Sequence, residues 1–296
     1  MAMDRRVVAG GLVALGVGLG LLSAFAGPTT APRGSAQPPL RAAAVRAVVP
    51  TQAVTPENDR TVVVGDSLLT EARPFLAAAM ADPAVEIHAF PLTAPCDWTA
   101  VLDAAAADPP RVLALEFSGN ALTPCMERAD GGPLTRPAIT ARYRAAAHAI
   151  TERFTALGTA VRWIDAPRGR PTINGPGRTD QFDGRVPFTV AIYESVARAA
   201  QQHGGDVAVI PAAAATLDAG RWTATLPCRA EEVALGGCGP AGTVPVRAPD
   251  GVHFCPTGLV VDGSCPVWSG GAWRYALAIR SGLTDLTAPS PRPIVP

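Results

Sequence analysis

The stretch Thr61-Val62-Val63-Val64-Gly65-Asp66-Ser67-Leu68 decides how the folded part of the chain is read. An unbroken run of β-branched apolar residues is the pattern of a strand buried on both faces. Gly65 permits a tight strand-to-helix turn. The Ala-rich run from about Leu69 to Met80 reads as the helix that follows. Outward from this unit the same alternation repeats. Strands are expected at Val85–Phe90, Val112–Phe117, Val161–Ile164 and Val207–Ile210. Helices are expected at about Trp98–Ala107, Pro137–Leu157, Thr189–His203 and Ala272–Ser281. Strands separated by helices form βαβ units with right-handed crossovers and a parallel sheet. The predicted fold class is α/β, with three layers, α/β/α, around a central parallel sheet. The stretch Ala213–Pro249, with two cysteines and little periodicity, reads as an excursion pinned by a disulfide.

Composition narrows the chemistry. The chain has 296 residues, 25 basic and 25 acidic side chains, and no net charge. Every basic residue is Arg. A chain without Lys has no Schiff-base lysine, no Ser-Lys dyad and no Walker phosphate-binding lysine. Balanced charge supplies no basic field for nucleic acid, so no nucleic-acid partner is expected. With 29 Gly and 30 Pro, the chain exceeds average usage without reaching the roughly 25–30 % that marks low-complexity chains. One folded domain with Pro-rich ends is the expectation.

The chain starts with Asp4-Arg5-Arg6 and an uncharged run from Val7 to Ala26 that ends in the small-x-small pattern Ala24-Phe25-Ala26. This reads as an export signal, either cleaved or retained as a membrane tether. Residues 1–26 are therefore expected to be a leader or anchor, 27–58 a Pro/Ala-rich linker, 59–286 the folded domain and 287–296 a loose tail. The expected location is outside the cell, either secreted or on the outer face of the cell membrane. Cys96, Cys125, Cys228, Cys238, Cys255 and Cys265 fit an oxidising compartment. Proximity in sequence favours the pairs 228–238 and 255–265, which leaves 96 with 125. No CxxC spacing suggests a zinc ribbon.

Ligands of parallel α/β sheets bind at the carboxyl ends of the strands, so candidate residues are sought there. Ser67 falls at that edge and at the start of a helix. There it serves either as a cap or as a nucleophile whose own N–H faces a developing oxyanion. A lysine-free chain can activate it only through a histidine or a carboxylate. Among four histidines, His88 lies in a strand, His148 in the long helix and His203 beside two glutamines. His253, in Pro249-Asp250-Gly251-Val252-His253-Phe254, is the one with a carboxylate three residues earlier. Asp250 is thus within one turn of its ring and able to orient it. Asn120, in Leu115-Glu116-Phe117-Ser118-Gly119-Asn120, falls at the same edge. Its amide is either a turn residue or an oxyanion donor.

In this order, the Gly-Asp-Ser-Leu, Gly-Asn and Asp-x-x-His motifs resemble the SGNH/GDSL hydrolase family over about Arg60 to Ser281. The stretches Phe90–Trp98 and Phe117–Met126 look like those of secreted actinobacterial members. The resemblance implies a flavodoxin-like SGNH fold and a serine hydrolase that needs no cofactor and no metal. It implies Ser67 as nucleophile, His253 as general base, Asp250 as its orienting residue, and Asn120 with the Ser67 N–H as oxyanion donors. The sequence departs from the family twice. A glycine that normally follows the second strand is absent from Phe90-Pro91-Leu92-Thr93-Ala94-Pro95-Cys96, where Leu92 is the best match and Thr93 the next. A positive φ at Leu costs about 1–2 kcal/mol. Gly119-Asn120 also lacks the Asp that commonly follows.

The implied activity is hydrolysis of an acyl or O-acetyl ester, on an acylated envelope glycan or lipid, by a monomer. The alternatives are a cell-surface O-acyltransferase and a non-catalytic envelope glycan-binding protein that keeps the fold. The loop after the fourth strand carries Arg168, Arg170, Arg178 and Arg185; these are either solvated or face an anionic part of the substrate. Trp98 and Trp222 are either packing residues or platforms for sugar rings. A Cys255–Cys265 pair would stiffen the segment that holds His253.

Overall fold

The computed structural model describes residues 58–170, 187–258 and 265–285. All of them fall within Thr51–Pro296. The expected leader, nearly all of the linker, the tail, and Arg178 and Arg185 lie outside the described residues. Among those described, no helix is long and apolar enough to cross a membrane.

The elements follow the predicted alternation: β1 Thr61–Gly65, α1 Ser67–Met80, β2 Val85–Ala89, α2 Thr99–Ala107, β3 Val112–Glu116, α3 Arg136–Ala156, β4 Ala160–Ile164, α4 Phe188–Gln202 and β5 Val207–Ile210. The C-terminal part adds β6 Thr225–Pro227, α5 Ala230–Ala234, β7 Thr243–Pro245 and α6 Gly270–Thr284. Strands β1 to β5 form one sheet in the order β2-β1-β3-β4-β5 with every pairing parallel. That is the flavodoxin-like order, in which the chain reverses direction across the sheet between β1 and β3.

Alternation along β1 explains the layers. Val62 and Val64 pack with Leu113, Leu115, Tyr143 and Trp163, on the face covered by α2, α3 and α4. Val63 packs with Leu69, Leu76, Tyr275 and Ile279, on the face covered by α1 and α6. Both faces are buried, so β1 and β3 bury every residue, whereas the edge strand β2 is half-buried throughout.

Two details differ from the sequence reading. Helix α1 starts at Ser67 rather than Leu69, because the turn at Gly65 and Asp66 is tighter than helix propensity alone suggests. The stretch Ala213–Pro249 contains an antiparallel β6–β7 pair and the short helix α5. Strands of three residues carry no readable period. What holds this excursion to α6 is a buried bidentate pair, Arg274 Nε to Glu232 Oε1 at 2.7 Å and Nη2 to Oε2 at 2.6 Å. The disulfides are Cys96–Cys125, Cys228–Cys238 and Cys255–Cys265, the pairing that proximity favours.

The register pairs Gly65 with Glu116, so the chain leaves β1 and β3 side by side at the carboxyl edge. A Cβ at Gly65 would lie 2.7 Å from the Glu116 carbonyl oxygen and 2.8 Å from Leu69 Cδ2. Glycine is what allows this approach. Gly65→Ala is expected to destabilise by about 1–3 kcal/mol through overpacking, a fall of several degrees in melting temperature. An unchanged melting curve would show that β1 can move away from β3 at no cost.

Candidate active site

The turn after β1 is built around Asp66. Its Oδ1 accepts the Leu68 N–H at 3.1 Å, which makes Asp66 the N-cap of α1. Ser67 is therefore the first residue inside the helix, and the capping role left open by its sequence belongs to its neighbour. The Ser67 hydroxyl is free to point elsewhere. His253 Nε2 lies 3.0 Å from Ser67 Oγ, and His253 Nδ1 lies 2.6 Å from Asp250 Oδ2. A carboxylate against Nδ1 fixes the proton on that nitrogen and leaves Nε2 as acceptor. The Ser67 hydroxyl then donates to Nε2. The arrangement can move a proton from Ser67 to His253.

Asp250 also fixes its own turn. Its Oδ1 accepts the backbone N–H groups of Val252 at 2.8 Å and His253 at 3.0 Å. Burial opposes its charge, yet the hydrogen bond and charge of His253 outweigh that and hold the Asp250 carboxyl down at about 2. For His253, burial disfavours the imidazolium, but the Asp250 hydrogen bond and the charges of Glu71, Asp250 and Asp66 prevail and raise it above its ordinary value.

The Asp250–His253 turn is held from three sides. The Gly251 carbonyl accepts the Arg170 N–H at 2.9 Å and the Trp222 Nε1–H at 2.9 Å. The Phe254 N–H donates to Glu71 Oε2 at 2.6 Å, and Ser269 Oγ donates to the Phe254 carbonyl at 2.9 Å. The Arg247 guanidinium lies 5.2 Å from the centre of the Phe254 ring. Burial lowers Arg247 to about 10 and raises Glu71. Trp222, one of two candidate sugar platforms, thus has its indole N–H committed to the turn. The Arg170 guanidinium stacks on it at 5.3 Å. The other, Trp98, donates its indole N–H to Thr93 Oγ1 at 3.0 Å.

Glu71 and Glu116 carry signals that sequence reasoning missed. Glu71 is one turn after Ser67 on α1, and Glu116 is a lone charge in an apolar strand. Both are buried. Asp66 Oδ2 accepts Ser118 N–H at 2.7 Å, Ser118 Oγ–H at 2.7 Å and Asn120 Nδ2–H at 2.8 Å. The Asp66 N–H donates to Glu116 Oε2 at 3.4 Å, and Glu116 Oε1 has no hydrogen-bond partner among the described residues. Burial, then the Asp66 charge, pushes Glu116 far up. Burial raises Asp66 as well, but the donors converging on it oppose that rise, so the proton belongs to Glu116.

Asn120 also donates to the Thr93 carbonyl at the longer distance of 3.3 Å. Both amide hydrogens are therefore engaged, one strongly on a carboxylate and one weakly on a carbonyl. Leu92 adopts φ +61°, the strained left-handed region anticipated for the missing glycine. Its N–H has no acceptor among the described residues. Cys96, Asp97 and Cys125 lie close enough together to suggest metal ligation, but both sulfurs belong to a disulfide.

No protein-family model and no curated protein matches the chain. Among solved structures it is similar to the C-terminal catalytic domain of peptidoglycan O-acetyltransferase A from Streptococcus pneumoniae, with 14 % identity, 77 % of this chain and 94 % of that one covered, and a TM-score of 0.43. It is similar to an alpha/beta hydrolase enzyme from the metagenome of Lake Arreo, Spain, with 12 % identity, coverage of 77 % and 96 %, and a TM-score of 0.44. It is also similar to a GDSL-like lipase from Bacteroides thetaiotaomicron, with 10 % identity, coverage of 77 % and 89 %, and a TM-score of 0.44. At these levels the chemistry of the chain has to be argued from its own residues.

The carboxyl pair makes a stability prediction. Folding raises the Glu116 value, so its contribution is complete below the ordinary carboxylate range and declines as pH rises towards the raised value. Glu116→Gln keeps a neutral donor there. As pH rises above the ordinary carboxylate range, the wild-type melting temperature should fall relative to this variant. Asp66→Asn, which strands buried donors, should cost about 2–3 kcal/mol or more at every pH. Parallel pH profiles for wild type and Glu116→Gln would rule out a proton held on Glu116.

Proposed function

We propose that the chain is an exported serine esterase of SGNH type. The observation that carries the reading is the continuous relay Ser67 Oγ, His253 Nε2, His253 Nδ1, Asp250 Oδ2, with links of 3.0 and 2.6 Å, at the carboxyl edge between β1 and β3. Three disulfides support an oxidising compartment, and the run Val7–Ala26 is assigned as its leader or tether. The substrate class is an acyl or O-acetyl ester.

In this mechanism, Ser67 Oγ attacks the ester carbonyl carbon while His253 Nε2 takes the hydroxyl proton. The carbonyl oxygen becomes an oxyanion beside the Ser67 N–H, the first N–H of α1, and the unoccupied Leu92 N–H. Asn120 joins by exchanging its long contact with the Thr93 carbonyl for the oxyanion, keeping its bond to Asp66. A charged acceptor wins that exchange over a carbonyl. His253 then protonates the leaving alcohol and the acyl group stays on Ser67. Water, deprotonated by His253, attacks the acyl-enzyme and releases the acid and the free serine.

The test is labelling with a fluorophosphonate probe and turnover of p-nitrophenyl acetate, comparing wild type with Ser67→Ala. Wild type should label and turn over, and the variant should do neither. Absence of both in wild type would favour a glycan-binding protein. Labelling with poor hydrolysis but acyl transfer to a sugar would favour a transferase.

The pH profile follows from the site. Neutral His253 is the active form, and its raised value places the acid limb of kcat/KM above about 6.5. Asp250, at about 2, contributes no limb in the working range. Asp250→Asn should shift the limb towards acid and lower kcat/KM by about 10²–10⁴-fold. An unshifted limb would remove Asp250 from the relay.

A further inference from the structure

Leu92 presents a physical contradiction. A branched side chain in the left-handed region is strained, and glycine relieves that strain. Such strain persists when burial of the side chain offsets it, yet Leu92 is 54 % exposed. Nor does it end a helix, as Ala81 does at the C-terminus of α1 with φ +47°. In the free protein its side chain therefore stabilises nothing that justifies its conformation. Strain held at such a point is an indicator of function.

Its surroundings supply the reason. Phe90, whose N–H donates to the Gly65 carbonyl at 3.2 Å, is 64 % exposed, and Leu122, two residues beyond Asn120, is 83 % exposed. The two loops that carry these residues are locked together. Thr123 Oγ1 donates to Asp97 Oδ1 at 2.6 Å, and Cys96 is bonded to Cys125. Within the first loop, Thr93 Oγ1 donates to the Phe90 carbonyl at 2.8 Å and the Ala94 N–H donates to Asp97 Oδ2 at 2.8 Å. Exposed apolar residues scattered singly need no explanation. Three of them lie on two stapled loops that follow β2 and β3 at the carboxyl edge, on which the Ser67 turn and Asn120 also lie, and there they can act as an apolar rim.

We propose that Leu92, with Phe90 and Leu122, is a specificity determinant that binds an apolar substituent of the ester undergoing cleavage. The inference rests on the reading of Ser67 as nucleophile and narrows it. The substrate carries a hydrocarbon chain next to the reacting carbonyl, on the acyl or the alcohol side, rather than a small acyl group on a wholly polar glycan. Burying the Leu92 side chain against that chain recovers the strain only in the complex. The loops are already locked, so little ordering entropy opposes binding.

The experiment compares wild type, Leu92→Gly and Leu122→Ser on two series. One varies the acyl chain, from p-nitrophenyl acetate to octanoate. The other varies the alcohol, from methyl acetate to octyl acetate. Wild type should prefer the longer member of one series, which identifies the side the rim binds. In each variant the long-to-short ratio of kcat/KM in that series should fall about tenfold, the low end for a lost apolar contact. The Leu92→Gly melting temperature should stay within about 3 °C of wild type, because relief of strain and the greater freedom of an unfolded glycine oppose each other. Ratios unchanged in both variants, with wild type active, would overturn this inference alone. A wild type that turns over no ester and resists the fluorophosphonate would overturn it together with the esterase reading.

Discussion

A single buried carboxylate, that of Asp66, joins the parts on which the site depends. Its backbone ends β1, its Oδ1 caps α1, and its Oδ2 receives Ser118 and Asn120 from the loop after β3. An ionised carboxylate in a dry environment is costly unless hydrogen-bonded throughout. That requirement is itself a constraint on geometry, because each donor must arrive at bonding distance. The same group therefore sets where α1 begins and where the Asn120 amide points. Glu116, neutral beside it, removes the second charge that the pair could not have sustained.

The histidine side of the site is referred to the same helix. Ser67 and Glu71 lie one turn apart on α1, and Glu71 receives the Phe254 N–H directly after His253. One rigid element thus places both the Ser67 hydroxyl and the segment that carries His253. The remaining supports act on the backbone of the turn. Trp222 and Arg170 hold the Gly251 carbonyl, and Cys255–Cys265 closes the segment beyond it. A loop with few regular hydrogen bonds of its own gains rigidity from neighbours whose positions the core determines.

Much of this was legible in sequence, and the parts that were not share a cause. Strands such as Val62–Val64 announce themselves because both faces are buried, and Ala-rich runs between them leave one topology class. Asp250 and His253 could be paired because their spacing is local. Glu71 and Glu116 could not, because a carboxylate reads as exposed by default. Only tertiary packing shows that one holds a distant backbone N–H and the other a proton. The β6–β7 pair and α5 depend on the Arg274–Glu232 pair, a contact between distant residues rather than a local preference. At Leu92 the strained φ followed from the missing glycine, whereas the exposure of its side chain did not.

The absence of lysine gives the charge distribution its shape. Buried cations in this chain are guanidinium groups that satisfy several fixed acceptors at once. Arg274 binds Glu232 and the Pro227 carbonyl, and Arg162 binds the carbonyls of Val161 and Asp206 together with the Asp206 carboxylate. Among the described residues no guanidinium hydrogen-bonds to Asp66, Glu71 or Glu116. Asp66 and Glu71 are satisfied instead by N–H groups and a hydroxyl. An arginine bonded to Asp66 or Glu71 would cancel the negative potential that reaches His253. Dipoles and hydrogen bonds stabilise the carboxylates yet leave most of their field in place. The ring is thereby made a stronger base than an isolated imidazole, which in the proposed relay favours transfer of the Ser67 proton to it. The cost is protonation under mildly acidic conditions, which neutral surroundings avoid.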